Sequence, residues 1–208
     1  MGADLRRVMQ PMAQALSWAL HPFVLPLYLV LLLFSQTAFA LFSPVLKTYL
    51  AGSILLYGVL LPMLAILVLR YRGVLPDLRI EGQRERVLPL MIGAIGYMLC
   101  AVTIGRIESA LFLRKFMVAA GCCEVLCALV TPRWKISLHL TGMGAAVALL
   151  VVMNLLAVPR MLVPLLGTIA ATGLLASARL YLGRHTPLQV AAGFCGGFLV
   201  TLTALFFF

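Results

Sequence analysis

Residues 48–69 read TYLAGSILLYGVLLPMLAILVL, a run of apolar and small side chains with no charged residue. A helix needs about 20 mostly apolar residues to cross the hydrocarbon core of a bilayer, which is roughly 30 Å thick. Inside that core every backbone N–H and C=O has to be satisfied within the protein, which favours a helix over an irregular segment. The run therefore predicts a membrane-spanning helix.

Six further stretches repeat this pattern, so the chain is predicted to be an all-α integral membrane protein. We expect residues 1–208 to form a single transmembrane domain, a compact bundle of about six to seven transmembrane helices. The fourth stretch is the weakest prediction, because it contains Arg114, Lys115 and Glu124. The predicted spans are residues 23–42, 48–69, 87–105, 111–131, 140–159, 161–178 and 186–208.

The composition agrees with this class and excludes others. Hydrophobic residues make up 63% of the 208 residues and charged residues only 11%, whereas soluble domains are about 45–50% apolar. An ordinary soluble domain, a disordered chain and a typical nucleic-acid-binding domain are therefore excluded. The net charge of +10 is interpreted as affinity for membrane lipids and phosphorylated ligands, with no nucleic-acid partner. The sequence leaves the oligomeric state open.

Three histidines stand at the starts of different apolar stretches. If all seven stretches cross the membrane, His21, His139 and His185 share one side with most of the 16 Lys and Arg residues. The positive-inside rule then places this face in the cytoplasm. Histidines and arginines also anchor helix ends at a membrane surface, so each residue taken alone has a purely structural interpretation.

Three polar segments on this face carry the candidate chemistry. In the first, residues 79–89, six residues separate Arg79 from Arg86. The second reads ISLH and ends at His139. In the third, five residues separate Arg179 from His185, and a glutamine follows His185 by one helical turn.

These segments resemble the motifs of the type 2 phosphatidic acid phosphatase superfamily. That family carries Lys-x6-Arg-Pro, then Pro-Ser-Gly-His, then Ser-Arg-x5-His-x3-Asp. The order and the internal spacings are the same here, with Arg79 in place of the lysine and the first proline displaced to Pro89. The resemblance covers about residues 77–195, and the chain looks like a small bacterial-type membrane member with degenerate motifs.

The resemblance implies a lipid-phosphate phosphatase that works through a phosphohistidine intermediate. Its substrate would be phosphatidic acid, phosphatidylglycerophosphate or a polyprenyl phosphate, in a bacterial cytoplasmic (inner) membrane. It implies no metal and no cofactor. The implied roles are nucleophile for His185, general acid/base for His139, phosphate binding for Arg79, Arg86, Arg179 and Ser137, and orientation of the nucleophile for Gln189.

These residue types suit phosphoryl transfer. Such catalysis rests mainly on positioning and on stabilisation of charge, which guanidinium groups supply without losing their protons. A neutral imidazole can attack the phosphorus, and a second imidazole can protonate the leaving oxygen.

Two departures from the family pattern open alternatives to an active enzyme. The family has an aspartate at the position of Gln189 and a glycine at the position of Leu138. A catalytically silent relative that binds lipid phosphates or supports a membrane assembly is therefore one alternative. A small transporter is another, because Glu124 and Asn154 place polar groups inside apolar stretches. Glu124 itself could be neutral, pair with a cation or line a polar pathway.

The arrangement of the spans also departs from the family. Familiar members use six spans and place the first two motifs in one loop, whereas two apolar stretches, residues 87–105 and 111–131, lie between them here. Because that number is even, the motifs still share one side.

Overall fold

The computed structural model describes residues 2–73 and 84–207. Of the described residues 84% are helical, and none is in a strand. The prediction of an all-α fold is therefore confirmed. The α-helices are α1 (Gly2–Ala19), α2 (Leu25–Gln36), α3 (Pro44–Ile54), α4 (Leu61–Tyr71), α5 (Val87–Ile104), α6 (Leu111–Val130), α7 (Leu138–Leu155), α8 (Leu162–Tyr181) and α9 (Pro187–Phe207).

Within residues 2–73 and 84–207, five helical segments are long and apolar enough to cross a membrane, and α2 is a shorter apolar helix. They are compatible with an integral membrane protein. α6 is not one of the five: it is 20 residues long but contains the three residues Arg114, Lys115 and Glu124, whose side chains carry charge in water. The five segments are Pro44–Tyr71, Val87–Ile104, Leu138–Leu155, Leu162–Tyr181 and Pro187–Phe207.

The first predicted span is interrupted. Its α-helix ends at Gln36, and the backbone of Thr37 is extended. The Thr37 hydroxyl accepts a hydrogen bond from Phe39 N–H at 3.2 Å. A short 3₁₀ helix, Ala38–Leu41, follows. With a rise of about 1.5 Å per residue, α2 alone is shorter than a bilayer core. The uninterrupted helix expected over residues 23–42 is thus replaced by two pieces.

The second predicted span is a single long helix with a widened turn in its middle. α3 continues through the π-helical segment Leu55–Leu60 into α4. Pro62 lies just beyond this segment. Proline has no N–H and its ring displaces the carbonyl four residues earlier, which explains the local widening.

The amphipathic helix α1 was not predicted. It packs against α8 and buries Ala13 and Ser17, while Met12 and Trp18 are exposed. Its apolar residues recur with helical spacing but never form a run of 20, so a search for membrane spans passes over it.

The helices α7 and α9 lie at the centre of the bundle and pack very closely against each other. Most of α7 is buried, and it meets α9 at glycines. A Cβ added at Gly144 would collide with the carbonyl of Phe194, and one at Gly197 with the carbonyl of Thr141. This contact fixes the start of α7 beside the start of α9, where two of the predicted motifs lie.

The close contact gives a test of the fold. We expect Gly197→Ala to destabilise the protein by about 1–3 kcal/mol, because the added methyl group meets rigid backbone rather than a flexible side chain. Gly173 on α8 is the matched control, since an added Cβ there has no neighbour within 4 Å. Gly173→Ala should be neutral or stabilising by up to about 1 kcal/mol, because alanine favours helix. Thermal unfolding in detergent measures both, and equal midpoints for the two variants would contradict this packing.

Candidate functional site

A cavity of about 260 Å³ opens where α2, α5 and α7 begin and α8 ends. Residues that are far apart in the sequence meet there. Its ionisable lining groups are His21, Arg86, Glu124, His139, Arg179 and His185, and its apolar lining includes Pro22, Phe23, Ile66, Pro89, Leu90 and Leu138. Among the residues described, the structure thus brings both predicted catalytic histidines together with two of the predicted phosphate-binding arginines.

The predicted orienting residue, Gln189, does contact the predicted nucleophile. Gln189 Oε1 lies 3.3 Å from His185 Nδ1 and also accepts a hydrogen bond from Thr186 N–H at 3.1 Å. In return, Gln189 N–H donates to Thr186 Oγ1 at 3.4 Å. These two bonds form a capping box at the start of α9, with Thr186 as the N-cap and Gln189 as the third helical residue. The capping box fixes the amide with its oxygen, not its nitrogen, towards His185.

A backbone carbonyl completes the orientation of His185. The oxygen of Lys135 lies 3.2 Å from His185 Nδ1. A carbonyl oxygen only accepts hydrogen bonds, so both neighbours of Nδ1 require that this nitrogen carries the proton. In the neutral ring, Nε2 is then the atom with the free lone pair. This is the tautomer that a nucleophilic histidine needs.

The surroundings also keep His185 neutral. Burial, and next the positive charge of Arg179, lower the pKa of His185 from 6.5 to about 4, although the bonds to Gln189 and Lys135 oppose this. The same two causes, in the same order, lower the pKa of His21. Both imidazoles are therefore uncharged at neutral pH, and the positive charge of the cavity comes from arginine.

His139 is held by the segment around the end of α1. Its Nε2 lies 3.1 Å from the carbonyl oxygen of Ser17, so Nε2 is the protonated nitrogen in this contact. Its ring stands edge-on to that of His21, with centroids 5.4 Å apart. Acid/base chemistry at His139 therefore uses Nδ1, or requires Nε2 to leave the Ser17 carbonyl.

The arginines concentrate positive charge at the cavity. Arg179 experiences the charges of Arg86 and Arg184, and its Nε is buried with no hydrogen-bond acceptor among the described residues. An unpaired buried donor costs about 1–3 kcal/mol, so an anionic ligand is favoured beside it. Arg79, the third predicted phosphate ligand, lies outside the described residues.

Ser137 does not line the cavity, in contrast to its expected role as a phosphate-binding hydroxyl. It is fully buried, and its backbone meets α9: Ser137 N–H donates to Gln189 O at 3.4 Å. A Cβ added at Gly193 would lie 2.6 Å from the Ser137 carbonyl oxygen. The close approach of α7 to α9 therefore encloses this serine between the helices.

The sequence interpretation missed several contributions to the site. His21 was placed on the correct face but not in the site, and its position directly before an apolar stretch was the available signal. The Thr-Pro-Leu-Gln run at 186–189 matches the pattern of a capping box and could have been found. The Lys135 carbonyl leaves no trace in the sequence, because it belongs to the backbone. Arg184 lies within the third motif, at the last of the five unspecified positions between Arg179 and His185.

Comparisons with known proteins identify no relative. No family model, no curated protein and no solved structure matches this chain.

Three histidines and Glu124 line the cavity, yet within the described residues no three His, Cys, Asp or Glu side chains are grouped so as to hold a metal ion.

Variants at Gln189 test how the nucleophile is oriented. Gln189→Glu keeps the capping box and turns a carboxylate towards Nδ1–H, so we expect a higher pKa of His185. For the lipid-phosphate turnover that the motif resemblance predicts, we expect a faster rate. Gln189→Leu removes the acceptor and should lower turnover roughly 10–100-fold. Titration of His185 by NMR and phosphate-release assays measure these effects.

Thr186→Ala serves as the control for these variants. It removes the other half of the capping box and costs about 1 kcal/mol of stability, while Gln189 Oε1 stays available to His185. If Thr186→Ala lowered turnover as much as Gln189→Leu, helix stability rather than orientation would explain the loss.

Proposed function

We propose that this protein is an integral membrane phosphatase that hydrolyses lipid phosphates through a phosphohistidine. One observation carries the proposal: His185, with its proton on Nδ1, shares a cavity with His139, Arg86 and Arg179. The substrate class, namely phosphatidic acid, phosphatidylglycerophosphate or a polyprenyl phosphate, follows from the motif resemblance and from the apolar helices around the site.

In the first step, Nε2 of His185 attacks the phosphorus of the phosphomonoester. The phosphate anion bound beside His139 favours its doubly protonated form. The P–O bond to the lipid breaks as the N–P bond forms, and His139 gives its Nδ1 proton to the leaving oxygen to release a lipid alcohol. The phosphoryl oxygens stay against Arg86 and Arg179, which stabilise their charge. As the Nε2–P bond forms, the ring becomes cationic, and Gln189 Oε1 and the Lys135 carbonyl stabilise it at Nδ1–H.

In the second step, water attacks the phosphohistidine. His139, now without that proton, accepts one from the water, and the N–P bond breaks to give inorganic phosphate and neutral His185. His139 returns to its protonated form, so the cycle uses one water molecule per lipid phosphate. The contact between His139 Nε2 and the Ser17 carbonyl makes α1 part of the site in this scheme.

The membrane placement belongs to the same proposal. Six to seven helices would cross a bacterial inner membrane, with the cavity at the cytoplasmic end. His21, Arg86, His139 and His185 all lie at or just before the first turn of a helix, and Arg179 lies in the last turn of α8. A phosphate bound among these side chains would lie level with the lipid headgroups while its hydrocarbon chain enters the bundle.

Turnover and trapping of the intermediate test this function. The full chain, purified in detergent, should release inorganic phosphate from ³²P-labelled phosphatidic acid in the presence of EDTA. Rapid quenching should leave ³²P on the protein as a bond that is stable to base and labile to acid, as expected for phosphohistidine. Binding of the lipid without either signal would contradict the enzyme and favour the silent lipid-binding relative.

A further inference from the structure

The cavity lined by His139, Arg179 and His185 is named the phosphate cavity. A second, mainly apolar cavity of about 40 Å³ adjoins it, and Glu124 lies at the border. Pro22, Glu124 and Leu138 line both cavities. Beyond Glu124 the lining comes from side chains of α2, α5, α6 and α7, including Leu25, Tyr97 and Phe116. A cavity of about 40 Å³ has room only for the first carbons of a hydrocarbon chain. In a ligand with its phosphate on Arg179 and those first carbons in the apolar cavity, the segment that joins the two would lie beside the Glu124 carboxyl.

Glu124 carries an acceptor that nothing in the described structure uses. Its side chain is only 8% exposed, and Oε2 is buried without a hydrogen-bond donor among the described residues. A buried carboxyl oxygen without a donor is costly, because it has lost water and gained no partner. The phosphate cavity thus contains an unpaired donor, Arg179 Nε, and an unpaired acceptor, Glu124 Oε2.

We infer that Glu124 selects phosphomonoester lipids that carry an O–H or N–H donor between the phosphate and the hydrocarbon chain. Such a lipid satisfies both unpaired groups at once: its phosphate accepts from Arg179, and its hydroxyl or ammonium donates to Glu124. A lipid phosphate without that donor leaves the Glu124 oxygen buried and unpaired. The inference deepens the proposed function, on which it rests, by assigning a residue that distinguishes among its substrates.

Binding of non-hydrolysable lipid phosphonates tests the inference separately from catalysis. The probes share one acyl chain and differ next to the headgroup, which carries a hydroxyl, an ammonium group or neither. We expect the wild-type protein to bind the donor-bearing probes about 10–100-fold more tightly, the range for leaving a buried acceptor without a donor. Equal affinities for all three probes would overturn the inference.

Two variants assign the preference to the carboxyl. Glu124→Met keeps the size of the side chain and removes the acceptor, so the preference should fall to near unity while the probe without a donor binds as before or better. Glu124→Gln retains a carbonyl oxygen and loses the capacity to ionise beside an ammonium group. This variant should keep part of the preference for the hydroxyl probe and lose more of the preference for the ammonium probe. The difference shows whether the hydroxyl or the ammonium group is the donor that Glu124 selects. Survival of the full preference in both variants would overturn the inference.

The control and the parallel assay separate this inference from the proposed function. Glu108 is an exposed carboxylate just after the other end of α5, and Glu108→Gln should leave all three affinities unchanged. Phosphate release from the corresponding lipid phosphates is measured alongside. Donor-dependent binding without turnover would reject the phosphatase but keep the role of Glu124. Turnover without donor dependence would reject only the role of Glu124.

Discussion

Replacing His185 by alanine is expected to lower phosphate release by roughly 10⁴-fold or more, to the background of the assay. The imidazole is the group that forms the bond to phosphorus, and removal of a nucleophile eliminates the covalent route rather than weakening it. The same variant should show no base-stable ³²P label on the protein. Turnover equal to that of the wild type would exclude the phosphohistidine mechanism.

A lost nucleophile has to be distinguished from a lost fold. Asn154 offers the control, because it lies near the far end of α7 and its Nδ2 donates to Leu150 O, 2.8 Å away in the same helix. Among the described residues, the Asn154 amide thus donates within its own helix. Asn154→Leu should retain phosphate release, and His185→Ala should keep the wild-type thermal midpoint within a few degrees.

Replacing Arg179 by glutamine is expected to reduce phosphate release about 10³-fold. The variant removes a fixed positive charge where the transferring phosphoryl group develops negative charge. Arg106 provides a matched control, since it follows the opposite end of α5 and lines no part of the described cavity. Arg106→Gln should retain nearly full activity, and an equal loss in both variants would point to a general effect of net charge.

The Arg179→Gln variant also changes a titration. Burial and the Arg179 charge hold the pKa of His185 at about 4, below its usual 6.5, so removing the charge should raise that pKa while burial keeps it below 6.5. NMR titration of labelled histidine, assigned with His185→Ala, measures the shift. A pKa of 6.5 in the wild-type protein would contradict the described environment.

The pKa of His185 also determines the direction in which protein stability changes with pH. The folded-state pKa of His185 lies below the unfolded value, so the unfolded chain binds its proton first as the pH falls. The contribution of neutral His185 to stability is therefore complete above pH 6.5 and is lost progressively between pH 6.5 and about 4. Because Arg179→Gln raises the folded-state pKa of His185, it should narrow the pH range over which this contribution to stability is lost.

Much of the fold follows from local sequence. Uncharged runs such as residues 48–69 require helices, because no other local structure pairs all backbone groups without a neighbour. Residues 138–155 and 187–207 form helices close to the predicted ranges for the same reason. The break in the first span at Thr37 and the widened turn before Pro62 were not predicted, because both depend on local backbone geometry.

The sequence also determined which residues were candidates for the site. The spacing between Arg179 and His185, and the single helical turn from His185 to Gln189, are local quantities that the folded chain preserves. The tertiary structure decided which candidates meet. It enclosed Ser137 between α7 and α9 and added His21 and Glu124 to the cavity. It also supplied the Lys135 carbonyl that fixes the His185 tautomer. The contact of α7 with α9 encloses Ser137, and the packing of the other helices brings His21 and Glu124 to the cavity. Local sequence does not encode such distances between helices.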